Sequence, residues 1–163
     1  MGYTLVVTKK RMLWRRDNCK GRSRMSMEMR ITQEINAQDE NAIYQGLFQY
    51  NLSKIESKAP KDLGIYLYNE AEQITAGLIG NTRGNWLSVK YLWVSEELRG
   101  QGIGKQILLK AEETAKERGC KYVFLDTFSF QAPEFYKKFG YCEVFVLENY
   151  PITGKRHYFT KEL

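Results

Sequence analysis

The segment Leu98–Gln106, LRGQGIGKQ, constrains the fold more than any other part of the chain, because it places glycines at alternate positions between two elements of different type. The apolar run YLWV before it is typical of a strand, and the residues after it are apolar at helical spacing. Alternate glycines let successive backbone N–H groups point toward one place. Because a helix begins there, its unpaired N–H groups and positive dipole end face the same place. The segment therefore predicts a strand–loop–helix unit whose loop can bind a phosphate or pyrophosphate.

Two common nucleotide-binding patterns do not fit this segment. The P-loop pattern GxxxxGK[ST] would require a glycine at position 99 and a serine or threonine at 106, where the chain has Arg99 and Gln106. The dinucleotide pattern GxGxxG, started at either Gly100 or Gly102, lacks its last glycine. From the loop alone, a glycine-rich turn without a ligand remains the alternative.

The rest of the chain alternates strand-like and helix-like segments. Helical patterns cover residues 39–57, where Asp39 is the expected N-cap, then the residues from Ile103 to Gly119, and finally 131–140. Strand patterns cover residues 29–35, 63–70, 73–82, 86–94, 120–128, 141–148 and 155–163. The second to fourth of these strands should form an antiparallel meander. We therefore predict a mixed α/β layered fold, with helices packed on a sheet.

The positive charge of the chain is concentrated in its first residues. The formal net charge is +6, of which residues 1–24 contribute +7 and the remainder −1. We expect residues 1–24 to form a weakly ordered basic leader and residues 25–163 to form a single domain. An ordered strand through YTLVV, or sequence upstream of a start at Met25 or Met27, are the other interpretations of the leader. The near-neutral remainder argues against nucleic acid as its partner, so a nucleic-acid arm in the leader is kept only as an alternative.

Cysteine, histidine and hydropathy patterns argue against several classes of site. The three cysteines, Cys19, Cys120 and Cys142, form no CxxC pair, which favours reduced thiols and a cytoplasmic location over a disulfide framework. The single histidine, His157, has no cysteine or histidine at ligand spacing, so no metal site is predicted. No run approaches the roughly 18–20 apolar residues that cross a bilayer, and we expect no membrane association.

Two motifs together carry a family resemblance. RGQGIG, Arg99–Gly104, resembles the Q/R-x-x-G-x-G/A acetyl-CoA signature of the GNAT superfamily of N-acetyltransferases, and APEFYKKFGY, Ala132–Tyr141, resembles that family's A-x-x-[LF]-Y-x-x-x-G-[FY] segment. The resemblance extends from Arg30 to the C-terminus, and LDTFSFQAPEFYKKFGY is similar to a subgroup of small bacterial acetyltransferases. It implies a mixed, mostly antiparallel twisted sheet of about six or seven strands, with helices on both faces and a splay between the fourth and fifth strands.

The resemblance implies acetyl-CoA as the donor, without a metal, and direct acetyl transfer to a primary amine of a small molecule or a peptide. By the family pattern, backbone groups of Leu92, Trp93 and Val94 bind the pantetheine arm. The family pattern assigns the pyrophosphate to the loop residues Arg99, Gly100, Gln101, Gly102, Ile103, Gly104 and Lys105. The family often has asparagine at the position of Ser129, so Ser129 or the nearby Gln131 would make that cofactor contact here.

The resemblance also assigns catalytic roles. Tyr136 matches the family position of the general acid, which protonates the departing thiolate. A backbone N–H at Leu92 or Val94 would stabilise the oxyanion.

Asp126 is the first candidate for the general base, because a carboxylate inside the strand VFLDTF is unexpected unless it faces a polar cleft. The two glutamates of SEEL and a water chain are the alternatives.

The sequence does not identify the acceptor. Aromatic residues that could line an acceptor pocket, or simply belong to the core, are Tyr44, Phe48, Tyr50, Tyr141, Phe145 and Tyr150. No strong acidic cluster indicates a polycationic acceptor. A homodimer is compatible with the sequence, and an acyl-CoA sensor that binds without transferring is the alternative function.

Overall fold

The computed structural model describes residues 28–56 and 59–163, so the predicted leader 1–24 and Cys19 lie outside the described residues. The chain divides into two compact units, one that ends at Asn51 and one that comprises Leu52–Leu163. Helix α1 (Ala37–Leu52) begins among the described residues of the first unit and ends at the first residue of the second unit, which contains the sheet.

The residues before α1 differ from the sequence prediction. The strand predicted at 29–35 is wrong, because these residues are irregular. Thr32 Oγ1 accepts the N–H of Glu34 at 3.0 Å, and such local side-chain bonds compete with the bonds of a strand ladder. Asn36 Oδ1 accepts the N–H of Asp39 at 2.8 Å, so Asn36 caps the helix where Asp39 was predicted to do so.

Six strands form one sheet in the second unit, in the order β1-β2-β3-β4-β6-β5. Their bounds are Lys61–Tyr68 (β1), Ile74–Arg83 (β2), Trp86–Val94 (β3), Tyr122–Phe128 (β4), Cys142–Glu148 (β5) and Lys155–Glu162 (β6). The first three strands form the predicted antiparallel meander. Strands β3 and β4 are parallel, while β6 pairs antiparallel with both β4 and β5. The predicted mixed, mostly antiparallel sheet is therefore confirmed.

Helices connect the strands around the predicted glycine loop. A short 3₁₀ helix (Glu96–Leu98) and helix α2 (Ile103–Glu117) lie between β3 and β4, and helix α3 (Pro133–Lys138) lies between β4 and β5. Helix α2 ends as predicted, since Gly119 has a φ of +85° and donates its N–H to the carbonyl of Lys116 at 2.8 Å. Among the described residues, no helix is long and apolar enough to span a membrane.

The core of this unit lies between α2 and one face of the sheet. The apolar stripe of α2 is buried as predicted, through Ile107, Leu108, Ala111 and Ala115. Alternate residues of the strands complete the core, among them Ala76, Leu78, Leu87, Val123, Leu125 and Phe159. At the start of α2, Gly104 lies beside Val94 at the end of β3.

Strands β3 and β4 diverge soon after they begin to pair. Their parallel ladder contains only the pairs formed by residues Trp86 to Ser88 with Tyr122 to Phe124. On the other edge of β3 the register shifts between Ile79 and Gly80, which leaves Lys90 as an extra residue between two paired ones. Such a bulge bends the strand and increases its twist. The second half of β3 therefore turns away from β4, and the predicted splay is present.

Candidate active site

A cavity of about 430 Å³ opens beside the end of β3. Its walls come from the end of β3, the glycine loop with the start of α2, and helix α3. Its lining residues are Leu92, Val94, Leu98, Arg99, Gly100, Gly102, Ile103, Gly104, Lys105, Ala132, Phe135, Tyr136 and Phe139. The structure thus brings together most of the loop residues and the tyrosine that the sequence indicated, in a volume typical of a ligand pocket.

The glycine loop has the backbone conformation that an anion site requires. Gly100 has a φ of +76°, and Gly102 has a φ of +80° and is the N-cap of α2. Few side chains adopt this left-handed conformation, which explains glycine at both positions. Apart from the glycine itself and its two neighbours in the chain, no atom of the described residues lies within 4 Å of a Cβ placed on Gly100 or Gly102, so the loop is open on that side. The first-turn N–H groups of α2 have no acceptor within the helix and can bind a phosphate.

Two polar side chains of the loop form hydrogen bonds to backbone carbonyls and so stabilise its conformation. Arg99 Nε donates to the carbonyl of Val94 at 3.2 Å, and Gln101 Nε2 donates to the carbonyl of Glu97 at 2.8 Å. Gln101 does not line the cavity, whereas Arg99 does. The ammonium of Lys105 lies over the ring of Phe139 at 5.7 Å, which places a cation in the cavity wall.

Tyr136 is the polar group of α3 that lines the cavity. The residue is 7% exposed, and its ring packs on Phe159 and edge-on to Phe135. Burial raises the pKa of Tyr136 to about 12, and the charge of Asp126 adds to the rise. Among the described residues, none forms a hydrogen bond to its hydroxyl. Tyr136 is therefore a neutral donor that is free for a ligand in the cavity.

Asp126 lies in β4 two residues beyond the last pair with β3, so it borders the splay. Its neighbour Leu125 is buried and pairs with Phe159, so Asp126 faces the opposite side of the sheet. Arg156 Nε donates to Asp126 Oδ2 at 2.5 Å. This ion pair raises the pKa of Arg156, although its burial acts against the rise. Asp126 is thus a carboxyl group paired with Arg156 at the splay, outside the cavity lining.

Three aromatic rings surround the guanidinium of Arg156. Its Cζ lies 5.4 Å from the ring centre of Tyr150, 5.6 Å from Phe128 and 5.8 Å from Tyr158. Nη1 also donates to the hydroxyl of Tyr150 at 3.3 Å. No local pattern in the sequence indicates a role for Arg156 at the site. Only the β4–β6 register, which sets Phe128 opposite Arg156, could have indicated it.

Ser129 and Gln131 use their side chains to hold the connection between β4 and α3. Gln131 Oε1 accepts the N–H of Phe128 at 2.9 Å and the hydroxyl of Thr127 at 3.1 Å. Ser129 Oγ accepts the N–H of Lys155 at 3.3 Å. Neither residue lines the cavity. Their side chains hold the connection that leads into α3 and do not face a ligand in the cavity.

Several other candidate residues of the second unit do not line the cavity. Trp93 is half-exposed and does not contribute to the lining, while its neighbours Leu92 and Val94 do. Glu96 and Glu97 are exposed. The backbone N–H of Glu97 and the hydroxyl of Ser95 lower the pKa of Glu97, so it is ionised. Of the acceptor-pocket candidates, Tyr141 is a core residue, Phe145 is exposed, and Tyr150 belongs to the aromatic group around Arg156.

His157 and the remaining cysteines take no part in a metal site. His157 lies in β6 with Nδ1 at 2.7 Å from a carboxylate oxygen of Glu143. Cys120 is buried, which raises the pKa of its thiol, and Cys142 is exposed. Within residues 28–56 and 59–163, no group of three His, Cys, Asp or Glu side chains could hold a metal ion.

Comparisons with known proteins decide the family. Residues 29–141 match the model of the Acetyltransferase (GNAT) family. The chain belongs to this family. It is 36% identical to acetyltransferase Atu2258 of Agrobacterium fabrum over 118 residues, which is 72% of this chain and 86% of the relative. It is 34% identical to the blasticidin-S acetyltransferase of Streptomyces morookaense over 110 residues, which is 67% of this chain and 81% of the relative.

The solved structures agree with the sequence relatives. The crystal structure of an acetyltransferase from Bacillus cereus ATCC 14579 has a TM-score of 0.72 and 36% identity, and the match covers 82% of this chain and 98% of that one. The GNAT resemblance and the fold class predicted from the two motifs are therefore confirmed. The chain is an acyltransferase of the acetyltransferase type.

Proposed function

We propose that this GNAT protein transfers the acetyl group of acetyl-CoA directly to a primary amine of a small molecule or peptide. The observation that carries the proposal is that one cavity is lined both by residues of the glycine loop, from Gly100 and Gly102 to Lys105, and by Tyr136, a neutral donor. An N-terminal helix turn suits a pyrophosphate, and a buried donor at the other end suits a leaving group that gains a proton.

The residues of the cavity fit acetyl-CoA. The loop is open where a Cβ would stand at Gly100 or Gly102, so backbone N–H groups can approach a pyrophosphate closely. Lys105 adds a positive charge at the wall. Beyond Ser88 the edge of β3 has no partner in β4, so its backbone groups near Leu92 and Val94 are available to an extended amide-containing arm. Acetyl-CoA, when bound, supplies the thioester carbonyl that the amine attacks.

Tyr136 serves as the general acid in this proposal. With a pKa of about 12 it remains protonated at neutral pH and can donate its proton to the departing thiolate. A backbone N–H at the free edge of β3, at Leu92 or Val94, stabilises the oxyanion. The acceptor amine must lose a proton, and Asp126, the carboxylate at the splay, is our candidate to accept it, directly or through water.

A small amine is the acceptor class that we propose. The relative from Streptomyces morookaense is named for blasticidin S, a small-molecule acceptor, and it matches two thirds of this chain. The salt bridge between Asp126 and Arg156 and the aromatic rings around Arg156 give this side of the splay both polar groups and planar apolar surface.

Thiol release from acetyl-CoA across a panel of small amines and short peptides tests the proposal. We expect amine-dependent release by the wild-type protein and about a 100-fold lower kcat for Tyr136→Phe, with the KM for acetyl-CoA unchanged. Tyr122→Phe, at the far end of β4, is the matched control and should behave as wild type. A protein that binds acetyl-CoA but releases thiol no faster than the enzyme-free reaction would be a sensor, and the proposal would fail.

A further inference from the structure

Glu112 is an ionisable residue buried in the apolar face of α2. It is 6% exposed and lies between Leu108, Ala111 and Ala115 on the stripe that packs on the sheet. A carboxylate in such a place is costly unless both oxygens are bound. Here both are: the hydroxyl of Tyr141 donates to Oε1 at 2.8 Å, and the ammonium of Lys161 donates to Oε2 at 2.7 Å.

Tyr141 connects this carboxylate to Tyr136. Tyr141 lies three residues beyond the end of α3, and its N–H donates to the carbonyl of Tyr136 at 3.2 Å. The two rings meet edge to face, with centroids 5.7 Å apart and planes at 70°. Burial raises the pKa of Tyr141, and the charge of Glu112 raises it further, so its hydroxyl stays protonated and keeps donating. The hydroxyl of Tyr141 is thus bonded to Glu112 of α2, while its backbone N–H and its ring contact Tyr136 in the last turn of α3.

Helix α3 depends on such external contacts. It contains six residues and has no side-chain hydrogen bond at its N-cap. A helix of this length is not stable by itself, so packing determines where it lies. Within the described part of the chain, the Tyr136 hydroxyl has no hydrogen-bond partner that would fix its direction. The position of that hydroxyl therefore follows from what holds the backbone and ring of Tyr136.

We propose that Glu112, Tyr141 and Lys161 form a positioning network that holds the Tyr136 hydroxyl at the cavity. Glu112 accepts a hydrogen bond from the hydroxyl of Tyr141, and the ammonium of Lys161 balances its buried charge. Tyr141, held in this way, packs against the ring of Tyr136 and limits its movement. The inference rests on the proposed function, in which Tyr136 is the general acid. Tyr141 and Glu112 are positioning residues, because neither lines the cavity.

A double-mutant cycle on kcat separates positioning from general support of the fold. Tyr141→Phe keeps the ring and removes only the hydroxyl. We expect it to lower kcat about tenfold, with the KM for acetyl-CoA within about twofold of wild type, since a small misplacement of an acid weakens proton transfer more than binding. In a Tyr136→Phe background, where no acid remains to be positioned, adding Tyr141→Phe should change kcat less than about twofold.

Two further variants sharpen the test. Glu112→Gln keeps an oxygen that can accept from Tyr141, so it should retain more of kcat than Tyr141→Phe does. Tyr122→Phe is the control. Tyr122 begins β4, at the end away from the splay, and its ring contacts Trp86. Removal of its hydroxyl should leave kcat unchanged. Circular dichroism of each variant checks that the fold is kept.

The outcomes distinguish this inference from the function on which it rests. If Tyr136→Phe retains wild-type kcat, Tyr136 is not the acid and both fail. If Tyr136→Phe loses kcat while Tyr141→Phe does not, the proposed function stands and the network is overturned. An equal fractional loss from Tyr141→Phe in both backgrounds would also overturn it, because a residue that merely supports the fold acts without Tyr136.

Discussion

Tyr136 and Asp126 approach the gap between β3 and β4 from opposite faces of the sheet. Tyr136 packs on Phe159, which pairs with Leu125 on the core face, and Asp126 is the next residue of β4 and faces the other way. The charge of Asp126 nevertheless contributes to the raised pKa of Tyr136. A ligand that passes through the gap can therefore meet a proton donor on one face and a carboxylate on the other.

This arrangement predicts an alkaline limit of activity above that of an ordinary tyrosine. The acid acts in its protonated form, so raising the pKa of Tyr136 to about 12 moves the loss of activity to higher pH. With an acceptor amine that is already neutral at pH 7, kcat should stay level up to about pH 10, where an unperturbed tyrosine would be half ionised. Initial rates of thiol release at saturating substrates measure this profile. A kcat that halves at or below about pH 10 would contradict the assignment.

Asp126→Asn should slow the reaction mainly at low pH. If Asp126 accepts the amine proton, the variant should lose about 10- to 100-fold in kcat near pH 7, and the loss should shrink as rising pH deprotonates the acceptor without help. The KM for acetyl-CoA should not change, because Asp126 does not line the cavity. Asp62→Asn is the control, because Asp62 lies in the edge strand β1, two strands away from β3, and this change should leave kcat unaffected. The same fractional loss at every pH would assign Asp126 to holding Arg156 instead.

Local patterns in the sequence were enough to predict the loop and the helices that surround the cavity. The glycine loop, the end of α2 at Gly119 and the short helix that carries Tyr136 are each specified by residues close together in the chain, through backbone conformation and helical spacing. The splay between β3 and β4 came from the family resemblance, and its physical cause, the extra residue Lys90 in β3, was not predicted from the pattern.

What the sequence did not predict depends on contacts between distant residues. Asp126 and Arg156 are paired through the β4–β6 register, which no local pattern encodes. Glu112 interrupts the apolar stripe of α2, and its burial depends on Tyr141 and Lys161, which bind its two oxygens from distant parts of the chain. The strand predicted at 29–35 failed because alternation of apolar residues specifies a face and no partner, and Thr32 offers a local bond instead.

The conformation of Gly102 should matter to acetyl-CoA binding beyond its cost to stability. Gly102→Ala forces a non-glycine residue to a φ of +80°, which costs about 1–2 kcal/mol, and it shifts the N–H groups at the start of α2. We expect the KM for acetyl-CoA to rise about tenfold. Gly119→Ala, at φ +85° and at the other end of α2, carries the same backbone strain away from the cavity and should lose stability without a change in KM. Equal KM values for the two variants would refute a role of the loop in binding.

Lys161→Met should be far more damaging to stability than a similar change at the surface. Its side chain is 20% exposed and that of Glu112 is 8% exposed, so the variant would leave a carboxylate buried with Tyr141 as its remaining donor. We expect the free energy of unfolding in urea to fall by about 2–4 kcal/mol. Lys110→Met is the matched control, because Lys110 pairs with Glu113 on the same helix and its side chain is 60% exposed; its effect on the free energy of unfolding should be much smaller.

A second substitution separates the buried charge from the lost packing of Lys161. If the cost arises from an unpaired carboxylate, adding Glu112→Gln to Lys161→Met should restore about half or more of the lost stability, because a neutral amide can still accept from Tyr141 and needs no cation. If Lys161→Met costs no more than Lys110→Met, the carboxylate is not buried enough to need its cation. The network would then contribute to the position of Tyr136 through the Tyr141 hydrogen bond alone.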